Sequence, residues 1–148
     1  MAKFIYRMQS ILNIKLKMEE QAKNSFAIAR MRLDEEEEKL EAFFAKKKEY
    51  EDTYREMAQG SINILELNAC KNAIEYTKNQ IKRQLVEVKV AGKNLEAAQL
   101  RLNEAMKERK IQEKLREKAF EQFLVDLSDE EKKEIDELVS YRFETGEG

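Results

Sequence analysis

From Phe4 onward, positions step by four and three through Met8, Ile11, Lys15, Met18, Ala22, Ser25 and Ala29, the spacing of a heptad seam. A second step of four then reaches Leu33. The alternation resumes through Glu36, Leu40, Phe43, Lys47, Tyr50, Tyr54 and Met57. The doubled step reads as a stutter, which locally unwinds a supercoil. The pattern predicts one helix over about 3–58, roughly 80 Å long at ~1.5 Å per residue.

Gly60-Ser61 is the clear turn signal of the first ninety residues. Gly60 suits a left-handed helix stop and Ser61 a following N-cap, which places the turn at about 59–61. Beyond it, Leu67, Ile74, Ile81, Val88, Leu95 and Leu102 recur every seven residues. Ile64, Cys70, Leu85, Ala91, Ala98 and Met106 fill the second seam position less regularly. The next sevenfold positions are Arg109 and Arg116, where the apolar stripe moves to Ile111, Leu115 and Ala119. A second helix over about 62–127 is expected, with its seam rotating or its pairing loosening near Arg109. Gly92 stands inside it at a cost of about 1 kcal/mol relative to Ala, and would allow a bend or a close helix approach. Ser128-Asp129-Glu130-Glu131 has the form of a capping box. It predicts either a short third helix over 129–142 or a second helix that simply continues. The tail Thr145-Gly146-Glu147-Gly148 is expected to fray.

Composition agrees. The 148 residues hold no Pro, no Trp and four Gly, so the main helix breakers are nearly absent. The fold class expected is all-α: two long helices joined by a short turn and therefore antiparallel, a coiled-coil hairpin in one domain. With the turn near 60, residue i faces about residue 120 − i. Phe4 then lies near Arg116, and Leu33 near Glu87. The second helix overshoots the start of the first.

Charge sharpens the picture. The whole chain is net −2, which gives no case for nucleic acid. Residues 1–33 carry seven basic and two acidic groups, and residues 91–118 eight and five. The hairpin therefore has a basic open end. Residues 34–60 carry five and ten, and residues 119–148 three and ten. For any single charge a solvated face is the plain reading. Same-sign segregation on both strands at one end points further, to docking on an acidic partner.

Catalytic chemistry is excluded by residue type. Without His there is no Ser-His or Cys-His pair, and one Cys cannot build a zinc site or an internal disulfide. No phosphate-cradling glycine motif occurs, so neither a cofactor nor an enzyme activity is expected. The Glu35–Glu38 run points in several directions and cannot converge on an ion. Cys70 reads as a buried, inert thiol near the seam. No stretch reaches the ~20 apolar residues of a membrane span, and no signal peptide is visible. Phe43, Phe44, Tyr50 and Tyr54 cluster on the distal half of helix one, with Tyr76 across from them. They are either seam core or exposed interface anchors.

The ends of the chain carry a resemblance. Phe4-Ile5-Tyr6-Arg7-Met8-Gln9-Ser10-Ile11-Leu12 is similar to the F-x-(F/Y)-R-(L/M)-Q-S-(I/V)-L opening of the flagellar export protein FliJ family. Glu19-Glu20-Gln21-Ala22 matches its acidic-polar stretch, and the turn near residue 60 its turn. The segment Glu108 to Lys118 resembles the family's return helix. Glu130 to Glu137, then Arg142-Phe143, resemble its E-x-K-x-x-D-E and R-(F/Y) elements.

The resemblance implies a cytoplasmic component of the flagellar type III export apparatus, shaped like the stalk subunit of rotary ATPases. It would sit peripherally at the inner face of the cell membrane through that apparatus. Its implied partners are the hexameric export ATPase, the cytoplasmic domain of the export gate, and export chaperones. The free protein would be a monomer. Candidates for docking in the ATPase are Phe4, Arg7, Met8, Lys110, Lys114 and Arg116. Candidates for gate contact are Phe43, Tyr50, Tyr54, Tyr76 and Ile81, although Lys46-Lys47-Lys48 departs from an apolar patch there. The alternatives are a self-associating structural or adaptor coiled coil, the stalk of a soluble rotary ATPase, and an RNA-binding hairpin arm. The RNA arm needs a basic stripe that the acidic distal half lacks.

Overall fold

The computed structural model describes residues 3–61 and 63–144, with side chains to residue 141. The expected fraying of Thr145 to Gly148 and the side chains of Arg142 and Phe143 lie outside the described residues. Two helices make up the fold, α1 (Gln9–Gln59) and α2 (Ile64–Glu144), and the fold class is all-α, as the seam spacing predicts. The chain divides into two compact units. Unit 1 comprises Met1–Gln21 and Asn103–Gly148, and unit 2 comprises Ala22–Leu102. In each, a stretch of α1 pairs antiparallel with a stretch of α2.

α1 begins at Gln9, later than periodicity alone suggests. Phe4 and Ile5 precede it without helical structure, and Tyr6 accepts a backbone hydrogen bond from Gln9 (3.1 Å). The helix ends at Gln59, and Gly60 does not adopt a left-handed backbone. The cap of α2 is Asn63 rather than Ser61. Its Oδ1 accepts from the amide of Leu65 (3.1 Å), and its carbonyl accepts the first helical bond from Leu67 (2.9 Å). Asn is among the strongest N-cap residues. At the other end, α2 runs through Ser128 without a break, so the capping-box residues stand inside a helix. Interior Glu and Lys are good helix formers, and they flank Ser128 on the C-terminal side.

The seam of α1 differs from the expected one over its first third. Half-buried or buried positions run Leu12, Lys15, Glu19, Ala22, Phe26, Ala29, Leu33 and onward to Met57, with steps of three and four throughout. The stutter disappears. The expected positions Ile11, Met18 and Ser25 lie one residue off this seam and are exposed. The polar residue Glu19 masked the true register.

α2 likewise keeps one heptad. Leu67, Ile74, Ile81, Val88, Leu95, Leu102 and Arg109 hold one seam position, and Cys70, Thr77, Gln84, Ala91, Ala98, Ala105 and Gln112 the other. Of the two alternatives near Arg109, rotation does not occur: Ala119 is half-buried, but on the unrotated heptad, seven residues after Gln112. Ile111 and Leu115 are exposed, as are Ile64 and Leu85, while Arg109 stays on the seam. Gly92 makes no close helix approach: a Cβ there would meet nothing within 4 Å.

Candidate docking surfaces

Unit 1 is held by aromatic and polar contacts. The non-helical N-terminal residue Phe4 packs on Phe120 and Phe123, at ring-centroid distances of 5.1 and 5.5 Å. The Arg116 guanidinium sits over the Phe4 ring at 5.8 Å, and Arg116 Nε donates to Gln9 Oε1 (3.1 Å). The sequence register put Phe4 beside Arg116, and the structure brings them together. It did not single out Phe120 and Phe123, although their i, i+3 spacing next to Arg116 was a usable signal. Tyr6 is buried and donates through its hydroxyl to Gln112 Oε1 (3.2 Å).

The seam of unit 1 is charged. Lys15 pairs with Glu108 (2.9 Å). Glu19 accepts from Arg109 Nε, and Arg109 Nη1 reaches Glu113 Oε2 at 2.8 Å. The hydrogen bond to Glu19 raises the Arg109 pKa above its ordinary value, and Glu113 adds to this against the opposing effect of burial. Arg109 is thus a permanent cation in the seam. Of the remaining docking candidates, Arg7, Met8, Lys110 and Lys114 are exposed on this unit, as is Arg116 beyond its two contacts.

Unit 2 carries the other candidates. Phe43, Tyr50 and Tyr54 are half-buried seam residues that leave part of each ring at the surface. Tyr76 is exposed, and Ile81 is buried at 7% accessibility. Ile81 therefore packs in the core, whereas Tyr76 and the neighbouring Phe44 lie open. Cys70 is buried, and its thiol donates to the Tyr50 carbonyl (3.2 Å), which ties the aromatic segment to α2.

A polar layer also crosses this seam. Gln84 Nε2 donates to the Glu36 carbonyl (2.8 Å) and to the Glu36 carboxylate. That side-chain bond, helped by Lys39 and Arg32 and opposed by burial, holds the Glu36 carboxyl below its ordinary 4.5. Glu36 is buried while Glu35, Glu37 and Glu38 are exposed, so the acidic run does not converge. No helix among the described residues is long and apolar enough to cross a membrane.

The sequence matches the family described as flagellar FliJ protein over residues 4–148. The chain belongs to the FliJ family. Membership makes this chain a component of type III protein export. The comparison with curated proteins gives no match. Among solved structures, the chain is similar to a YscO homolog from Chlamydia trachomatis. Identity is 21%, 98% of each chain is covered, and the TM-score is 0.68. At that identity the likeness concerns the fold, and it extends the two-helix architecture over nearly the whole FliJ chain.

Proposed function

We propose that the chain is a non-catalytic stalk and coupling component of flagellar export. Unit 1 docks in the central pore of the hexameric export ATPase. Unit 2 contacts the cytoplasmic domain of the export gate, and the protein also engages export chaperones. Through these contacts it resides at the inner face of the cell membrane without inserting into it. The observation that supports this reading most is the construction of unit 1. Phe4 is anchored by Phe120, Phe123 and Arg116, which fixes the N-terminal segment on α2 beside the exposed cations Arg7, Lys110 and Lys114. An anchored basic surface suits docking on an acidic ring interior, and such charges act on encounter rate and register.

The mechanism is mechanical. A two-helix cross-section has no sixfold symmetry, so it offers each subunit of a ring a different surface. Ring assembly is favoured when the pore is filled, and the unequal contacts couple hydrolysis to the gate. In unit 2, Tyr50, Tyr54, Phe43 and Tyr76 supply the aromatic surface for the gate. Ile81 supports that surface from the core. Affinity capture of the tagged chain from its source lysate tests the proposal. Co-recovery of the export ATPase and the gate protein is expected, and recovery of RNA-binding enzymes instead would overturn it.

A further inference from the structure

Within unit 1, the last described turns of α2 are open to solvent: every side chain from Ser128 to Tyr141 is exposed. The stretch is helical as a continuation of α2. The preceding turns supply the nucleus that an isolated helix of this length would have to form for itself.

The stretch is amphipathic. Ile135, Leu138 and Val139 stand at i, i+3 and i+4 on one side of it, and they are 60%, 63% and 52% exposed. Leu124, about three turns before Ile135, lies on the same side and is also exposed. Glu131, one turn before Ile135, interrupts the stripe, and Glu134 borders it. Lys132 stands on its other border. Tyr141 has an interaction of its own and lies off the stripe. The charges are unequal: six exposed carboxylates between Asp129 and Glu137 stand against two lysines, Lys132 and Lys133.

An amphipathic helix presents such a surface to a groove, with apolar anchors one turn apart for the floor and charges for the rim. Here the excess charge is negative, so the groove it fits has an apolar floor and a basic rim. An acidic ring interior that suits Arg7, Lys110 and Lys114 repels this stretch. The gate, in the proposed function, meets the aromatic surface of unit 2. We propose that the acidic end of α2, anchored by Ile135, Leu138 and Val139, is the docking helix for the export chaperones, which receive it in an apolar groove with a basic rim. This deepens, and rests on, the reading of the chain as an export component that engages chaperones. Of the three partners in that reading, the chaperones alone have no surface assigned. Chaperone and ATPase then meet oppositely charged parts of unit 1, so charge changes at the end of α2 act on the first partner and not on the second.

Isothermal titration of the full chain with each purified, cargo-free export chaperone of the source cell tests this, using two variants. I135Q/L138Q removes the apolar anchors and keeps good helix formers. E131K/E134K/E137K reverses the acidic charge. Wild type binds at least one chaperone, and that binding weakens as salt rises. Each variant binds it at least about tenfold more weakly, a loss of about 1.4 kcal/mol. Both variants keep the wild-type helical content and the wild-type affinity for the ATPase hexamer. Chaperone binding that is unchanged in both variants would overturn this assignment and leave the proposed function standing. Loss of ATPase binding with chaperone binding retained would place the stretch on the ring and overturn it too. Failure of wild type to bind any chaperone would remove the chaperones from the proposed function, and this assignment with them.

Discussion

The Glu19 carboxylate is buried against the Arg109 guanidinium, at a layer where a heptad seam ordinarily joins two apolar side chains. Polar groups at seam positions specify register at a cost in stability. Removing either partner breaks the cross-helix ion pair at this layer, and Arg109 keeps only its bond to Glu113 on its own helix. Arg109→Leu is therefore expected to lower the thermal midpoint by several degrees, and Glu19→Leu to do likewise. The double variant is expected to recover most of the loss, and a double-mutant cycle on urea midpoints reads the coupling.

Glu36 and Gln84 give a pH signature. The bond from Gln84 lowers the Glu36 pKa in the folded state below its ordinary 4.5. The carboxylate's contribution is thus fully present above about 4.5, and it is lost as pH falls through the depressed folded value. Wild type is expected to exceed Glu36→Gln in stability at pH 7, with the difference shrinking below pH 4.5. Urea unfolding of both proteins across that range checks it. A constant difference would assign the effect to packing instead.

The seam register makes a sharp contrast between neighbours. Leu12 is 4% exposed and Ile11 36%. Leu12→Ala is expected to cost about 2 kcal/mol. Ile11→Ala is expected to change stability by less than about 0.5 kcal/mol. Equal costs would restore the register that periodicity alone suggested.

Gly92 stands inside α2 with open space where a Cβ would go. Gly92→Ala is expected to stabilise the protein by about 1 kcal/mol, the difference in helix propensity. A loss of stability would indicate a packing role for the glycine.

Much of this was legible in the sequence. The missing prolines and the sevenfold run from Leu67 to Leu102 dictate long helices, and the turn position gave a register good enough to pair Phe4 with Arg116. What misled was chemistry at seam positions. Met18 attracted the seam because it is apolar, while the true position holds Glu19 and, across from it, Arg109; that shift carried Ile11 along in place of Leu12. Periodicity is read from apolar residues, so a seam layer built from a charge pair is invisible until its partner is located. The same bias moved the α2 stripe to Ile111 and Leu115. Those residues form an exposed face instead, so the error itself marked a surface. The aromatic candidates divide for a simpler reason. Tyr50 and Tyr54 sit at seam spacing in a two-helix pairing too narrow to cover a whole ring, whereas Tyr76 is off the seam and Ile81 on it.

In the proposed function, unit 1 docks the protein on the export ATPase through its cations. The most direct measurement titrates purified chain against the purified ATPase hexamer, comparing wild type with a variant carrying Arg7→Glu, Lys110→Glu, Lys114→Glu and Arg116→Glu. Binding that weakens at least tenfold, or about 1.4 kcal/mol, with the salt dependence of the remaining binding reduced, is the predicted result. Unchanged affinity in a variant that retains the wild-type helical content would contradict the claim.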